Sequence, residues 1–488
     1  MAVSGAGRSH FWTAVLPAVL LGLCGSRLAL NAQTGNPSSI SNPFYGSVTA
    51  HPATGDVLKL SLDDAIRRGF DTNLGLREAE SQEKYVHGEK QEALQEFLPT
   101  ITLEGDTGVY QHNLAALGFS SSVIGKFASF FPGGKIPPGL STITKDTLTE
   151  GQLQYKQTLF SGPVIAGWNA ARATEKSYHF AKMTARGEVV QQVATAYLHA
   201  IAAGSEVDNA RALLKSDQVA FDHAHEQVEA GTSAHLDELR AQVQLQAQQQ
   251  ALIAAQNSLD KDLILLKREI GVDPGQNIVL TDPAPYSELA AQTPDEVRAI
   301  AYKNRQDWQN LQNQVIELRA LHNVYRSQRW PTLSVKGYWG VTEVTGVNAH
   351  DTFSAQGTLS VPLFREARLR GDIQSAQAQL DAVNEQIEDL RARIDQQVRS
   401  ALLDVNANQR LVDVARSNVE LATRALSDET DRVNAGVDDN LPLVAAQATL
   451  AAAQSNLVES LYQYNLSKLA LARAAGVIEL QYRVYLGR

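Results

Sequence analysis

Trp330-Pro331-Thr332-Leu333-Ser334-Val335-Lys336-Gly337-Tyr338-Trp339-Gly340-Val341 changes its period at the second residue. From Leu333 onward the apolar positions Leu333, Val335, Trp339 and Val341, with Gly337 among them, alternate with Ser334, Lys336, Tyr338 and Gly340. Proline ends a helix and drives the residue before it toward extended structure, so a helix feeds a strand here. That strand has one oily face and one wet face. A second run sets Phe353, Ala355, Gly357, Leu359 and Val361 against Ser354, Gln356, Thr358 and Ser360, which makes a hairpin.

The same grammar occurs earlier in the chain. Leu98-Pro99-Thr100 precedes Ile101, Leu103 and Val109, which alternate with Thr102, Glu104 and Asp106, and a returning strand sets Leu153, Tyr155 and Leu159 against Gln152, Gln154 and Lys156. The offset between the two prolines, 331 − 99 = 232, equals that between two helix starts, Ser61-Leu-Asp-Asp and Thr293-Pro-Asp-Glu, 293 − 61 = 232. Later landmarks are closer: Leu159-Phe160 recurs as Leu363-Phe364 (204), and Gly231 and Gly271 as Gly436 and Gly476 (205). The chain reads as a tandem of one unit of roughly 200 residues. The first copy carries 232 − 204 = 28 additional residues in a loop from about His112 to Asp146, where Pro132-Gly133-Gly134 and Pro137-Pro138-Gly139 fit a tolerated insertion or a functional surface loop.

Between Phe160 and Gly231, and between Phe364 and Gly436, Pro163 is the only proline, so each stretch predicts a helix of roughly 100 Å. Val189, Val193, Tyr197 and Ile201 form an apolar stripe for a partner helix. The two glycines stand where helices stop, and Ser233 or Asp438 and Asp439 are caps for helices that return to Gly271 and Gly476. Ser61 with Asp64, and the capping box Thr293-Pro294-Asp295-Glu296, each start a helix of about 35 residues that runs to a Pro-Thr pair.

The 488 residues are 44% hydrophobic with a formal net charge of −10. Arg8, His10 and the apolar run Phe11 to Leu23 read as a secretory leader cleaved after Ala32. Loss of Arg8 and Arg27 makes the charge −10 − 2 = −12, a poor match for nucleic acid. Cys24, the single cysteine, follows Leu21-Gly22-Leu23, a lipoprotein-like box with an oversized Leu23; cleavage at Ala32 leaves no thiol for a disulfide or a thiolate metal site. No apolar run of about 18 residues follows the leader, so any membrane insertion must use strands. His223 and His225 lie two apart, about 200° round a helix, and do not chelate one metal. Gly133-Gly134-Lys135-Ile136 lacks the early Gly and final Ser or Thr of a phosphate loop. Neither Gly-x-Ser-x-Gly nor His-Glu-x-x-His occurs, and the pattern predicts no catalytic residue, no metal and no cofactor.

In order and spacing, Leu60-Ser-Leu-Asp-Asp-Ala65, Leu98-Pro-Thr100, Leu159-Phe160-Ser-Gly162, Ala230-Gly231 with Leu236-Asp237 and Arg240-Ala-Gln242, and their second-copy counterparts resemble the TolC-like outer-membrane efflux protein family over nearly the whole mature chain. The resemblance implies a mainly α fold with a membrane β-barrel part: a homotrimer whose protomers give four strands each to one twelve-stranded barrel, continued by a long α-helical periplasmic barrel. It implies a passive outer-membrane conduit in a tripartite efflux or type I secretion system, with a periplasmic adaptor, an inner-membrane pump and outer-membrane lipid as partners. The expected divisions are signal peptide 1–32, linker 33–57, first repeat 58–292 (strands about 99–112 and 147–160, tip about 231–237), second repeat 293–477 (strands about 331–341 and 351–364, tip about 436–442) and tail 478–488. The family closes its periplasmic end where the hairpins meet, which implies Asp438, Asp439 and Asp237 as pore-constriction candidates and Gly231, Thr232, Ser233, Arg240, Gly436 and Val437 as the adaptor-docking tip. The family's second-turn carboxylate would fall at Pro442 or Ala445, so Asp438 and Asp439 serve as a ring, as helix caps, or as both, and Asp237 as a ring member or a solvated tip residue. Trp330 and Trp339 suit an aromatic girdle or ordinary burial. A secreted periplasmic coiled-coil scaffold or adaptor without a barrel is the competing reading.

Overall fold

The computed structural model describes residues 42–48, 51–113, 116, 121–130, 133, 143–231, 233–283, 286–344, 348–435 and 440–487. The chain divides into Met1–Asn42 and Pro43–Arg488, and the elements below belong to the second unit. The expected leader, Cys24 and the cleavage site lie outside the described residues, as does most of the 114–142 loop.

The elements in order are β1 (Leu58–Leu60), α1 (Leu62–Thr72), α2 (Leu74–Gln95), β2 (Thr100–Asn113), α3 (Ser121–Lys126), β3 (Ile143–Phe160), α4 (Gly162–Glu229), α5 (His235–Glu269), β4 (Ile278–Leu280), α6 (Pro294–Asn304), α7 (Gln306–Ser327), β5 (Thr332–Val344), β6 (His350–Ser360), α8 (Glu366–Asn434), α9 (Asn440–Ala474) and α10 (Ile478–Leu486). Among the described residues, no helix is long and apolar enough to cross a membrane.

Strands β2, β3, β5 and β6 form one antiparallel meander in that order. Its register draws rows across the sheet: Leu103, Leu153, Trp339 and Phe353 stand opposite one another in one row, and Thr102, Gln154, Tyr338 and Ser354 in the next. The apolar row is open to solvent in the single chain, with Leu103 81% and Phe353 80% exposed. Neighbours on a strand face opposite ways, so the alternation in sequence becomes two chemically distinct surfaces. β3 starts at Ile143, four residues earlier than expected, and β6 stops at Ser360 rather than 364, leaving Leu363 and Phe364 in the run-up to α8.

The two expected 35-residue helices are each broken once. The first yields at Asn73, whose backbone is extended (ψ 129°), and the second at Arg305 (ψ 122°); 305 − 73 = 232, the offset of the repeat. Tertiary contacts cause both breaks. Asn73 accepts from the Leu76 amide through its side chain (3.2 Å) and donates Nδ2–H to the Phe44 carbonyl (2.6 Å), while the Leu74 amide bonds Gly46 instead of continuing the helix. At the second break the left-handed Gly476 (φ 73°) lies so near that a Cβ there would stand 2.6 Å from the Arg305 nitrogen, which only glycine tolerates.

The main core forms a belt around these breaks. Leu60, Leu62, Val189, Val193, Tyr197, Leu266, Ile270, Ile394, Leu469 and Leu486 are buried together, and Tyr197 donates to the Leu60 carbonyl (2.9 Å). β1 and β4 pair in parallel beside them. Above the belt, α2 and α4 carry one motif twice, Glu83-x3-His87-x2-Lys90 and Glu175-x3-His179-x2-Lys182. The helices run antiparallel and the motifs clasp reciprocally: Glu83 takes His179 (2.8 Å) and Lys182 (2.6 Å), and Glu175 takes His87 and Lys90 (both 2.7 Å).

Candidate functional site

The hairpin tips are the candidate site. α4 stops at Glu229, and Gly231 takes the left-handed turn (φ 69°) that lets its amide bond Val228 (3.0 Å) and the Ser233 amide bond Gln227 (3.3 Å). This closes the free carbonyls of the helix end. Ser233 donates Oγ–H to Asp237 (3.0 Å), and Arg240 reaches the other Asp237 oxygen (3.2 Å). The structure thus brings Ser233, Asp237 and Arg240 into one local cluster, in which Asp237 serves its own helix start. Thr232, Gly436, Val437, Asp438 and Asp439 lie outside the described residues.

Sequence spacing misses a clamp that the turn creates. Glu238, in the first turn of α5, receives His225 of α4 at 2.7 Å and His235 at 2.9 Å. The His225 bond, then that of His235, holds the Glu238 carboxyl below the usual range, and the Glu238 bond holds His225 above its own. An acid at a helix start also suits the macrodipole. His225 and Glu238 are thirteen apart in sequence, so the signal exists only once the hairpin is drawn.

A second missed group sits about 18 Å up α4 from its end, at 1.5 Å per residue. Asp217 is 2% exposed at the junction of α4, α5 and α9. Its Oδ2 receives a long bond from Gln244 of α5 (3.4 Å), and its Oδ1 has no partner among the described residues. Burial pushes this carboxyl up to about 6, against the weak pull of Gln244.

At the other end, Trp330 stacks in parallel on Phe160 (6.5 Å between centroids) just before β5, whereas Trp339 stands within the apolar row and is 62% exposed. In the single chain both side chains are more than half exposed.

Comparison with known proteins agrees with this architecture. The profile of the family described as outer membrane efflux protein matches residues 66–272 and 298–477. The alkaline protease secretion protein AprF of Pseudomonas aeruginosa is 26% identical over 310 residues, covering 60% of this chain and 62% of that protein. The outer membrane protein TolC of Escherichia coli is 22% identical over 362 residues, 68% of this chain and 70% of its own. The crystal structure of the outer membrane protein VceC from Vibrio cholerae superposes with a TM-score of 0.66 at 17% identity, covering 85% of this chain and 96% of that one.

Proposed function

The chain belongs to the outer membrane efflux protein family, and on that premise we propose that it is the outer-membrane duct of a tripartite efflux or type I secretion assembly, a passive exit from periplasm to exterior. The family is one of transport channels rather than enzymes, and bond chemistry is not part of this reading. The observation that carries it is the meander. Its apolar row Leu103, Leu153, Trp339 and Phe353 is exposed, and among the described residues its outer strands β2 and β6 each pair on one side only. Four strands are too few to close, because about eight are needed to enclose even a filled interior, and open edges are not tolerated in lipid. Three copies supply twelve.

The helices support the same count. On α8, Leu403, Leu411, Val414 and Leu421 are all more than half exposed, as are Leu236, Val243 and Ile253 on α5. Leu411, Val414 and Leu421 keep the three- and four-residue steps of a coiled-coil seam, and so do Leu236, Leu239, Val243 and Ile253. In this reading α5 of one protomer lies along α8 of the next, repeats 58–292 and 293–477 form alternate staves of the tunnel, and Trp330 and Trp339 mark the two edges of the lipid-facing band. The tip residues Gly231, Thr232, Ser233, Arg240, Gly436 and Val437 meet the periplasmic adaptor, the inner-membrane pump loads the cargo, and Asp438, Asp439 and Asp237 narrow the mouth by gathering carboxylates about the three-fold axis.

A secreted scaffold without a barrel leaves the oily rows of the sheet unexplained. Detergent extraction of outer membranes should yield a trimer that conducts in planar bilayers, and replacing Asp438 and Asp439 by Asn should weaken its cation preference. Recovery of the mature chain as a water-soluble monomer would overturn the duct. Unchanged selectivity in the double variant would remove only the ring.

A further inference from the structure

Asp217 of α4 and Gln447 of α9 line one small cavity with Ala220, Ala241, Gln244 and Val444. Gln447 is 3% exposed; it donates Nε2–H to Ser216 Oγ (3.3 Å), and its Oε1, like Oδ1 of Asp217, has no partner among the described residues. Two buried acceptors facing one space cannot satisfy each other, and each left unmet costs about 1–3 kcal/mol. The cavity measures about 10 Å³ on the scale where one water needs about 10–15 Å³. A metal cation would find two protein oxygens and no room for the waters that must complete its shell. A proton needs no room.

We propose that Asp217 is a proton-operated latch between the two hairpins: as the neutral acid it donates Oδ1–H to Gln447 Oε1 and ties α9 to α4 and α5, and as the carboxylate it releases α9. Among the described residues that line the cavity with Asp217, none is titratable or charged. Its own helix contributes Ser216 and Ala220, α5 contributes Ala241 and Gln244, and α9 contributes Leu443, Val444 and Gln447; none of these is charged. Desolvation, rather than a neighbouring ion, accordingly raises this carboxyl to about 6 from 3.8. Between those values the folded chain holds a proton that the unfolded chain has released, so stability falls as pH rises across that interval and stays reduced above it. Because Gln447 stands in the second turn of α9, seven residues from its start, the latch acts close to the tip. Its consequence for opening rests on the duct reading.

Asp217→Asn tests the latch, since the amide donates to Gln447 at every pH while its oxygen still accepts from Gln244. Thermal unfolding of the detergent-purified protein is followed from about pH 4 to about pH 8. Wild type and Asn variant should match at the acid end; the variant should gain a few degrees as pH rises and level off above about 6.5. Gln447→Leu, which removes the acceptor, should lower the acid-end value below that of wild type. A wild-type minus Asn difference that stays flat overturns the proposal; this is the result if a water bridges the two oxygens or if the Gln447 amide is turned over and donates to a permanent carboxylate. In planar bilayers the wild type should open several-fold more at the alkaline end than at the acid end, and the Asn variant should stay at the acid level. Conductance with no pH response in either protein also sinks the latch. A pH-dependent stability difference without any conductance leaves the latch standing and sinks the duct.

Discussion

α4 and α8 occupy corresponding places in the two repeats and have nearly equal lengths, 68 and 69 residues, yet they lead different lives. α4 is packed by α2, α5, α7 and α9, and buries Val189, Val190, Val193, Ala194, Tyr197 and Ala200 in succession. α8 is packed chiefly by α7 and α9; it buries one seam, with Ile394, Val398, Val405, Val412 and Ala415, and leaves Leu403, Leu411, Val414 and Leu421 outside. A duplicated sequence therefore places one copy within the protomer and the other at its margin. In the proposed trimer the oily residues at the margin face a second copy of the chain, whereas those of α4 are already buried within the protomer.

That contrast can be broken most forcefully by one charge on each helix. Val193→Asp, at a position 1% exposed, should abolish folding through an unpaired buried carboxylate costing more than about 4 kcal/mol, seen as loss of the helical circular dichroism signal. Leu421→Asp, at a position 59% exposed, should keep that signal and lose the trimer on native mass measurement. If Leu421→Asp remained fully trimeric, the margin assigned to α8 would be wrong. Next in size, Asn73→Ala removes both a helix cap and the bond to Phe44, and should cost about 1–2 kcal/mol in chemical denaturation.

A smaller effect distinguishes the helices by pH. The Lys90 bond foremost, opposed by burial and helped by His87, holds the Glu175 carboxyl of α4 below its ordinary 4.5. A depressed carboxyl stabilises above its unfolded value and ceases to as pH falls through the folded one. Wild type should thus lose more stability than Glu175→Gln as pH drops below 4.5, and equal slopes would show that the clasp adds nothing. Smallest of all, Arg424→Ala on α8 breaks a fully surface pair with Glu420 and should shift stability by less than about 0.5 kcal/mol.

Much of the architecture was legible because period and punctuation are local. The switch from 3.6 to 2 at Pro99 and Pro331, the capping box at Thr293 and the left-handed Gly231 and Gly476 are set by a few adjacent residues. The breaks at Asn73 and Arg305 were not, since neither residue forbids a helix and each yields to a distant segment, Phe44–Gly46 in one case and Gly476 in the other. At the tip, Asp237 and Arg240 were legible as neighbours three apart on a helix. The partnership of His225 with Glu238 required the turn, and the burial of Asp217 required a third helix from the other repeat. Aligned at the 205-residue offset, Asp217 corresponds to Ala422, which packs in an oily cluster with Leu450 and Ala453, so the repeat itself conceals the polar member.

The reciprocal clasp between α2 and α4 has a mechanical consequence. Because Glu83 and Glu175 each grip a His and a Lys spaced three apart on the opposing rod, sliding the rods by one turn would unseat the Glu83–Lys182 and Glu175–Lys90 contacts together. The pair acts as a two-point rack that resists sliding of α2 along α4, and so helps to fix how far β2 and β3 stand from the belt.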